Sequence, residues 1–311
     1  MGLGVGESYF DLIPSRQNEI RETKIDVRTK FTLSLPNGRT ILLGTRTIVV
    51  GVLNITPDSF SDGGQHFDTV QATERAVAMQ SEGADIIEVG GESTRPGATA
   101  LSIEDEIERV APVLKALAAR LTVPIAIDTY KSEVARRAVE LGAAIINDVS
   151  ALRFDPAIAD VAAETGAALV LMHMRGDPET MQKLPASPDI FAEIHRDLKS
   201  AVSQALSRGV GREQIVVDPG IGFGKTLENN LAILKYLDRF ASLELPLMIG
   251  TSRKSFIGRL TGRPASERVP GTAASVAIAI SRGAHLIRVH DVKEMVEVAR
   301  VSDAIVDTSI A

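Results

Sequence analysis

The stretch "ELGAAIINDVS", Glu140 to Ser150, ends one element and begins the next within a few residues. Upstream, Ser132 to Leu141 has the periodicity of an amphipathic helix, and a glycine just past such a segment can take the left-handed conformation of a C-cap. Downstream, Ile145 to Asp148 is a short apolar run that reads as a strand. The same junction recurs at Ser81-Glu82-Gly83-Ala84 and Arg282-Gly283-Ala284, so the chain repeats an α-to-β unit. From Ile48 onward the predicted strands are Ile48 to Asn54, Ile86 to Val89, Pro124 to Asp128, Ile145 to Asp148, Ala168 to Met172, Ile215 to Asp218, Leu247 to Gly250 and Leu286 to Val289. Helical segments between them include Val70 to Ser81, Ile103 to Leu117, Ser132 to Leu141, Phe191 to Ser207, Leu227 to Phe240 and Thr272 to Ser281. About eight strands is the number that closes a (β/α)8 TIM barrel.

Positions two apart on a strand share a face. Val50, Val52 and Asn54 therefore line up, as do Pro124, Ala126 and Asp128. So do Ile145 and Asn147, Val216 and Asp218, and Leu286, Arg288 and His290. In each set the last member is polar. A parallel barrel turns one face of every strand inward and opens all the following loops at one end, so these side chains form a polar ring at its mouth. An unpaired Asp or Arg is costly to bury, which makes a ligand site the economical reading of that ring. Asp148, followed by Val149 and Ser150, instead has the character of a turn former.

The chain has 311 residues and no cysteine, so disulfides and thiolate metal sites play no part. Its net charge of −6 argues against broad nucleic-acid binding. Glu7 and Asp11 sit where a secretory leader would be basic and then apolar, and no apolar run approaches the ~18 residues of a membrane span, so a cytoplasmic location is expected. Residues 1–46 differ from the rest and read as an N-terminal extension, with a β-hairpin over about 30–43 turning at Pro36-Asn37-Gly38. Residues 47–311 form the barrel, and the hairpin is expected to cover its bottom.

In order along the chain, "LNITPDSFSDGG", "GADIIEVGGESTRPGA", "IDTYK", "AAIINDVSAL", "VVDPGIGFGKT", "MIGTSRKSFIG" and "IRVHDV" resemble dihydropteroate synthase, over about Thr47 to Ala304. The resemblance implies a pterin-binding barrel that joins 6-hydroxymethyl-7,8-dihydropterin diphosphate to 4-aminobenzoate. It releases pyrophosphate, forms 7,8-dihydropteroate and uses Mg2+. It places Asp128, Asn147, Met172, Asp218, Phe223, Gly250, Lys254 and Arg288 around the pterin, and Thr94, Arg95, Pro96 and Ser255 around the aminobenzoate. Asn54, Arg288 and His290 would meet the diphosphate, with Asn54 also on the metal. The resemblance also implies that Asp58, with Ser59 and Phe60, lies in a first mobile loop. Asn54, Asp58, Arg95, Lys254, Arg288 and His290 are the expected catalytic set.

An aromatic amine needs no strong base to attack, and the difficult step is breaking the bond to diphosphate, so dissociative substitution is expected. A non-catalytic pterin-binding module or the pterin domain of a methyltransferase remains the alternative. Against it stand Thr94-Arg95-Pro96 and Ser252-Arg253-Lys254-Ser255, which a pterin carrier would not need. The resemblance also implies a homodimer through helices late in the barrel. Two decoys fall away. Gly224-Lys225-Thr226 lacks the P-loop glycine five residues upstream, where Pro219 stands, and His173 has no second ligand at zinc spacing nearby, so it reads as structural or as a loop residue.

Overall fold

A computed structural model describes residues 28–55, 64–92, 101–178 and 180–308. It opens with the hairpin β1 (Phe31–Ser34) and β2 (Thr40–Leu43), paired antiparallel. Asn37 and Gly38 lie at φ 60° and 71°, the positive angles that the Asn-Gly pair was expected to supply.

Eight parallel strands follow: β3 (Ile48–Asn54), β4 (Ile86–Gly90), β5 (Ile125–Asp128), β6 (Ala143–Asp148), β7 (Ala168–Met172), β8 (Ile215–Asp218), β9 (Met248–Ile249) and β10 (Leu286–Val289). Their order around the sheet is β8-β7-β6-β5-β4-β3-β10-β9. The two ends meet in a parallel bridge between Val217 and Leu247, where the Val217 N–H donates to the Pro246 carbonyl at 3.0 Å. The ring is thereby closed as a (β/α)8 barrel.

The helices are α1 (Gly64–Glu82), α2 (Ile103–Arg120), α3 (Ser132–Glu140), α4 (Ile158–Thr165), α5 (Ile190–Ser207), α6 (Leu227–Lys235), α7 (Ser255–Thr261), α8 (Val269–Ser281) and α9 (Val292–Asp307). Gly142 ends the α3 unit at φ 109°, where a side chain would be strained. One expected helix is shorter than its pattern suggested. Leu227 to Phe240 breaks at Tyr236 (φ −120°), and Leu237–Leu243 continues as a 3-10 turn. Its buried residues Leu237, Phe240 and Leu243 recur every three positions, a spacing that suits a 3-10 helix better than an α-helix.

In the opening stretch β6 begins at Ala143, two residues before the expected start, with a register irregularity against Ile125 and Ala126 that sets Ile145 opposite Ala126. Asp148 is the turn former it was read to be. Its carboxylate accepts from the Ser150 N–H (2.8 Å), the Ser150 hydroxyl (2.7 Å) and the Leu152 N–H (2.6 Å). These bonds hold Ala151 and Leu152 at φ 49° and 65°, a left-handed pair that side chains disfavour.

Apolar side chains fill two layers. One lies between strands and helices; the other fills the barrel interior with Ile48, Val50, Ile86, Ala126, Ile145, Val170, Val216, Met248 and Leu286. Leu33, Leu35 and Leu43 of the hairpin are buried in this inner cluster, so the hairpin stoppers the end opposite the polar ring. Leu33→Ala is expected to cost about 2–5 kcal/mol, since the neighbouring barrel cannot collapse onto the void. A urea titration reads this as a lower midpoint at unchanged slope.

Candidate active site

Strand register brings the polar ring together. Asn54, Gly90, Asp128 and Asn147 are successive partners across β3, β4, β5 and β6, while Met172 pairs with Asp218 across β7 and β8. A Cβ at Gly90 would lie in ordinary contact with Asn54 Oδ1 (3.5 Å) and Asp128 (3.7 Å), and glycine leaves that place open. Asp128, Asn147 and Asp218 are all buried.

At the centre lies Arg288. Its Nε donates to Glu88 Oε1 at 2.5 Å and its Nη2 to Asp128 Oδ2 at 2.7 Å. Asn147 Nδ2 donates to Glu88 Oε2 at 2.9 Å. Glu88, only 1% exposed, thus fixes both Arg288 and Asn147 from below. It was missing from the sequence-based site, although it lies two residues after inward-facing Ile86 and the same face reading would have found it. The remaining oxygens, Asp128 Oδ1 and Asn147 Oδ1, are buried without a hydrogen-bond partner. An orphaned buried acceptor costs about 1–3 kcal/mol, which a ligand donor can recover.

Asp218 Oδ1 accepts from the Gly220 N–H at 2.7 Å. Lys254 Nζ donates to the Ile221 carbonyl and lies 4.6 Å from the centre of the Phe223 ring. A side chain at Gly250 would touch both Arg288 and Lys254, so glycine keeps that wall thin. Phe223 and Met172 belong to one apolar cluster with Val149, Met174, Met181 and Tyr130, of which Phe223 and Tyr130 are only partly buried. Ser255 opens α7 on the exposed rim beside Lys254. His290 Nδ1 meets Ser252 Oγ at 3.0 Å, and its Nε2 is 3.5 Å from Asn54 Nδ2. The expected residues Asp58, Ser59, Phe60, Thr94, Arg95 and Pro96 lie outside the described residues. The chain flanking 93–100 is well anchored: Lys131 Nζ donates to Glu92 (2.5 Å), to Glu106 (2.6 Å) and to the Leu101 carbonyl (3.0 Å).

Burial dominates the electrostatics. It pushes Asp128 up to about 7 against the pull of Arg288, with Glu88 adding repulsion. It raises Asp218 too, opposed by Lys254, and lowers Lys254 to about 8, opposed by Asp218. Burial works against the charge on Arg288 as well, yet Glu88 and Asp128 outweigh it and hold the guanidinium protonated. A flat heterocycle with N–H donors and a carbonyl needs an ionised Asp128 and a charged Lys254. Protonation of Asp128 below about 7 and loss of the Lys254 proton above about 8 should each weaken binding, by roughly tenfold per pH unit beyond those limbs. Fluorescence titration of a pterin across pH would read the two limbs; a flat profile would contradict these roles.

The family described as pterin binding enzyme matches residues 50–290 of this chain. Dihydropteroate synthase of Escherichia coli (strain K12) is 49% identical over 256 residues, covering 82% of this chain and 90% of its own. The crystal structure of Yersinia pestis dihydropteroate synthase in a sulfonamide drug complex is similar at TM-score 0.82 and 42% identity, covering 89% of this chain and 98% of that one. The Xanthomonas albilineans dihydropteroate synthase in complex with 7,8-dihydropteroate is similar at TM-score 0.79 and 38% identity, covering 89% of this chain and 100% of that one.

Proposed function

Because the chain belongs to the pterin binding enzyme family, with dihydropteroate synthases aligned over most of its length, we infer that it is a transferase of folate biosynthesis. It condenses 6-hydroxymethyl-7,8-dihydropterin diphosphate with 4-aminobenzoate, giving 7,8-dihydropteroate and pyrophosphate. The observation that carries the pterin end of this reading is the pair of orphaned acceptors, Asp128 Oδ1 and Asn147 Oδ1, beside buried Asp218. Asp218 offers a carboxylate to the amidine-like edge of the pterin, a match for two parallel hydrogen bonds. Lys254 donates to the ring carbonyl, and Phe223 and Met172 pack its face.

The amine attacks with its own lone pair, so the residues must ease departure of the diphosphate. Arg288 commits Nε and Nη2 to carboxylates, which leaves Nη1 for the leaving group, and His290 adds a second donor. Asp128 and Asp218 favour positive charge developing on the dihydropterin, consistent with dissociative substitution. Asn54 Oδ1 makes no hydrogen bond among the described residues. A single hard oxygen suits Mg2+, which takes one or two protein ligands and completes its shell with water and phosphate oxygens, so Asn54 would hold it. When bound, the ion neutralises charge on the diphosphate.

Sulfonamides, as carried by the Yersinia pestis relative, would compete with aminobenzoate near Ser255. The exposed apolar side chains Leu260, Ile278, Val301 and Ile305 on α7, α8 and α9 support a homodimer through the late helices, which sedimentation velocity would test. No helix among the described residues is long and apolar enough to cross a membrane. We place the reaction in the cytoplasm, where cell fractionation should find the protein.

The decisive assay measures pyrophosphate release from the pterin diphosphate with Mg2+, with and without 4-aminobenzoate, and identifies the product by mass. Release that depends on the amine and yields dihydropteroate supports the function. Tight pterin binding without turnover would sink it and point to a binding module.

A further inference from the structure

His173 takes no part in the chemistry above. It follows Met172 past the end of β7, is 3% exposed, and has both ring nitrogens buried without a hydrogen-bond partner. Burial, helped by nearby Lys225, lowers it to about 4, so the ring is neutral and one nitrogen keeps a lone pair. Sequence spacing offered this histidine no ligand partner, but the fold supplies two from α5. Glu193 and Asp197 stand four residues apart, hence on one face of that helix. One ligand atom from each of the three residues lies within 4.8 Å of the others.

Asp197 Oδ2 is 3.4 Å from His173 Nε2, an ion-pair distance without hydrogen-bond geometry. That separation matches the edge of a tetrahedron whose centre lies about 2.0–2.1 Å from nitrogen and oxygen ligands. One oxygen of each carboxylate is already held. Glu193 Oε1 accepts from Arg175 Nε at 2.8 Å, and Asp197 Oδ1 from Arg196 Nε at 2.9 Å. Outer partners of this kind orient metal ligands. The two arginines also offset part of the carboxylate charge and so favour moderate affinity.

We propose that His173, Glu193 and Asp197 form a binding site for a borderline divalent transition metal of the Zn2+ class. It is distinct from the Asn54 position, whose single oxygen suits Mg2+. The backbone of His173 touches the pterin wall on two sides: its N–H donates to the Asp218 carbonyl at 2.9 Å, and its carbonyl accepts from Lys225 Nζ at 3.2 Å. A metal there would tie α5 to the strand ends that carry Asp218.

The test uses the full chain with excess Mg2+ and titrates Co2+, followed by visible absorption, with Zn2+ as competitor. One equivalent with a tetrahedral spectrum is expected, displaced by Zn2+, together with a higher Tm in Zn2+. Asp197→Asn, at a half-buried position that should not disturb folding, should weaken binding at least about tenfold and abolish the Tm rise. His195→Ala, on the same helix but outside the triad, should leave both unchanged. Absence of saturable binding, binding indifferent to Asp197→Asn, or binding lost only in His195→Ala would each overturn the site.

Discussion

Arg288→Met is expected to remove turnover and to lower stability by about 3–5 kcal/mol, because it strands two buried carboxylates. Glu88 and Asp128 both lean on this guanidinium, and neither has another cation at hydrogen-bond distance among the described residues. Urea denaturation reads the stability loss and pyrophosphate release the turnover. Adding Glu88→Gln to Arg288→Met removes one stranded charge, so the double variant should regain part of the stability and none of the activity. Equal stability of the two variants would mean that Glu88 does not depend on Arg288.

Asp218→Asn should separate the two effects in the opposite sense. Each hydrogen bond from a ring donor to an ionised carboxylate is worth about 1.5–3 kcal/mol; asparagine forfeits one of the matched pair and leaves two buried donors opposed at about 1–3 kcal/mol more, so about 2.5–6 kcal/mol, or roughly 10²- to 10⁴-fold in pterin affinity, is lost. Asparagine fails because its NH2 group faces a donor instead of accepting from it. Since burial disfavours the Asp218 charge, removing that charge should leave folding stability intact or slightly improved. Calorimetric titration with a pterin ligand checks the first expectation and thermal melting the second. Undiminished pterin affinity would remove Asp218 from its assigned role.

Much of this was legible because the barrel converts a local pattern into a spatial one. Period-two alternation put Asn54, Asp128, Asn147, Asp218 and Arg288 on inward faces without any long-range information. Glu88 obeys the same rule but lies one layer deeper, mid-strand between Ile86 and Gly90, where attention to strand ends passes over it. The six helices named in the sequence leave out α4, α7 and α9. α4 is eight residues long with Ile158, Ala159, Val161 and Ala162 all buried, so it shows little polar face, and α7 is shorter still and contains Gly258. The surroundings of His173 were out of reach for another reason. Its neighbours come from α5, twenty residues downstream, and only the docking of helix against strand brings them together.

Apolar side chains fill the barrel below the polar ring, so the site opens at one end only. Asp128, Asn147 and Asp218 lie at depth, while Ser255 sits on the rim. Whatever occupies the deep position must enter before the rim is filled and cannot leave until the rim is vacated. If the pterin takes the deep position and the amine the rim, as proposed, traffic through one doorway would order the two substrates, pterin first and amine second, and the joined product would depart rim end first.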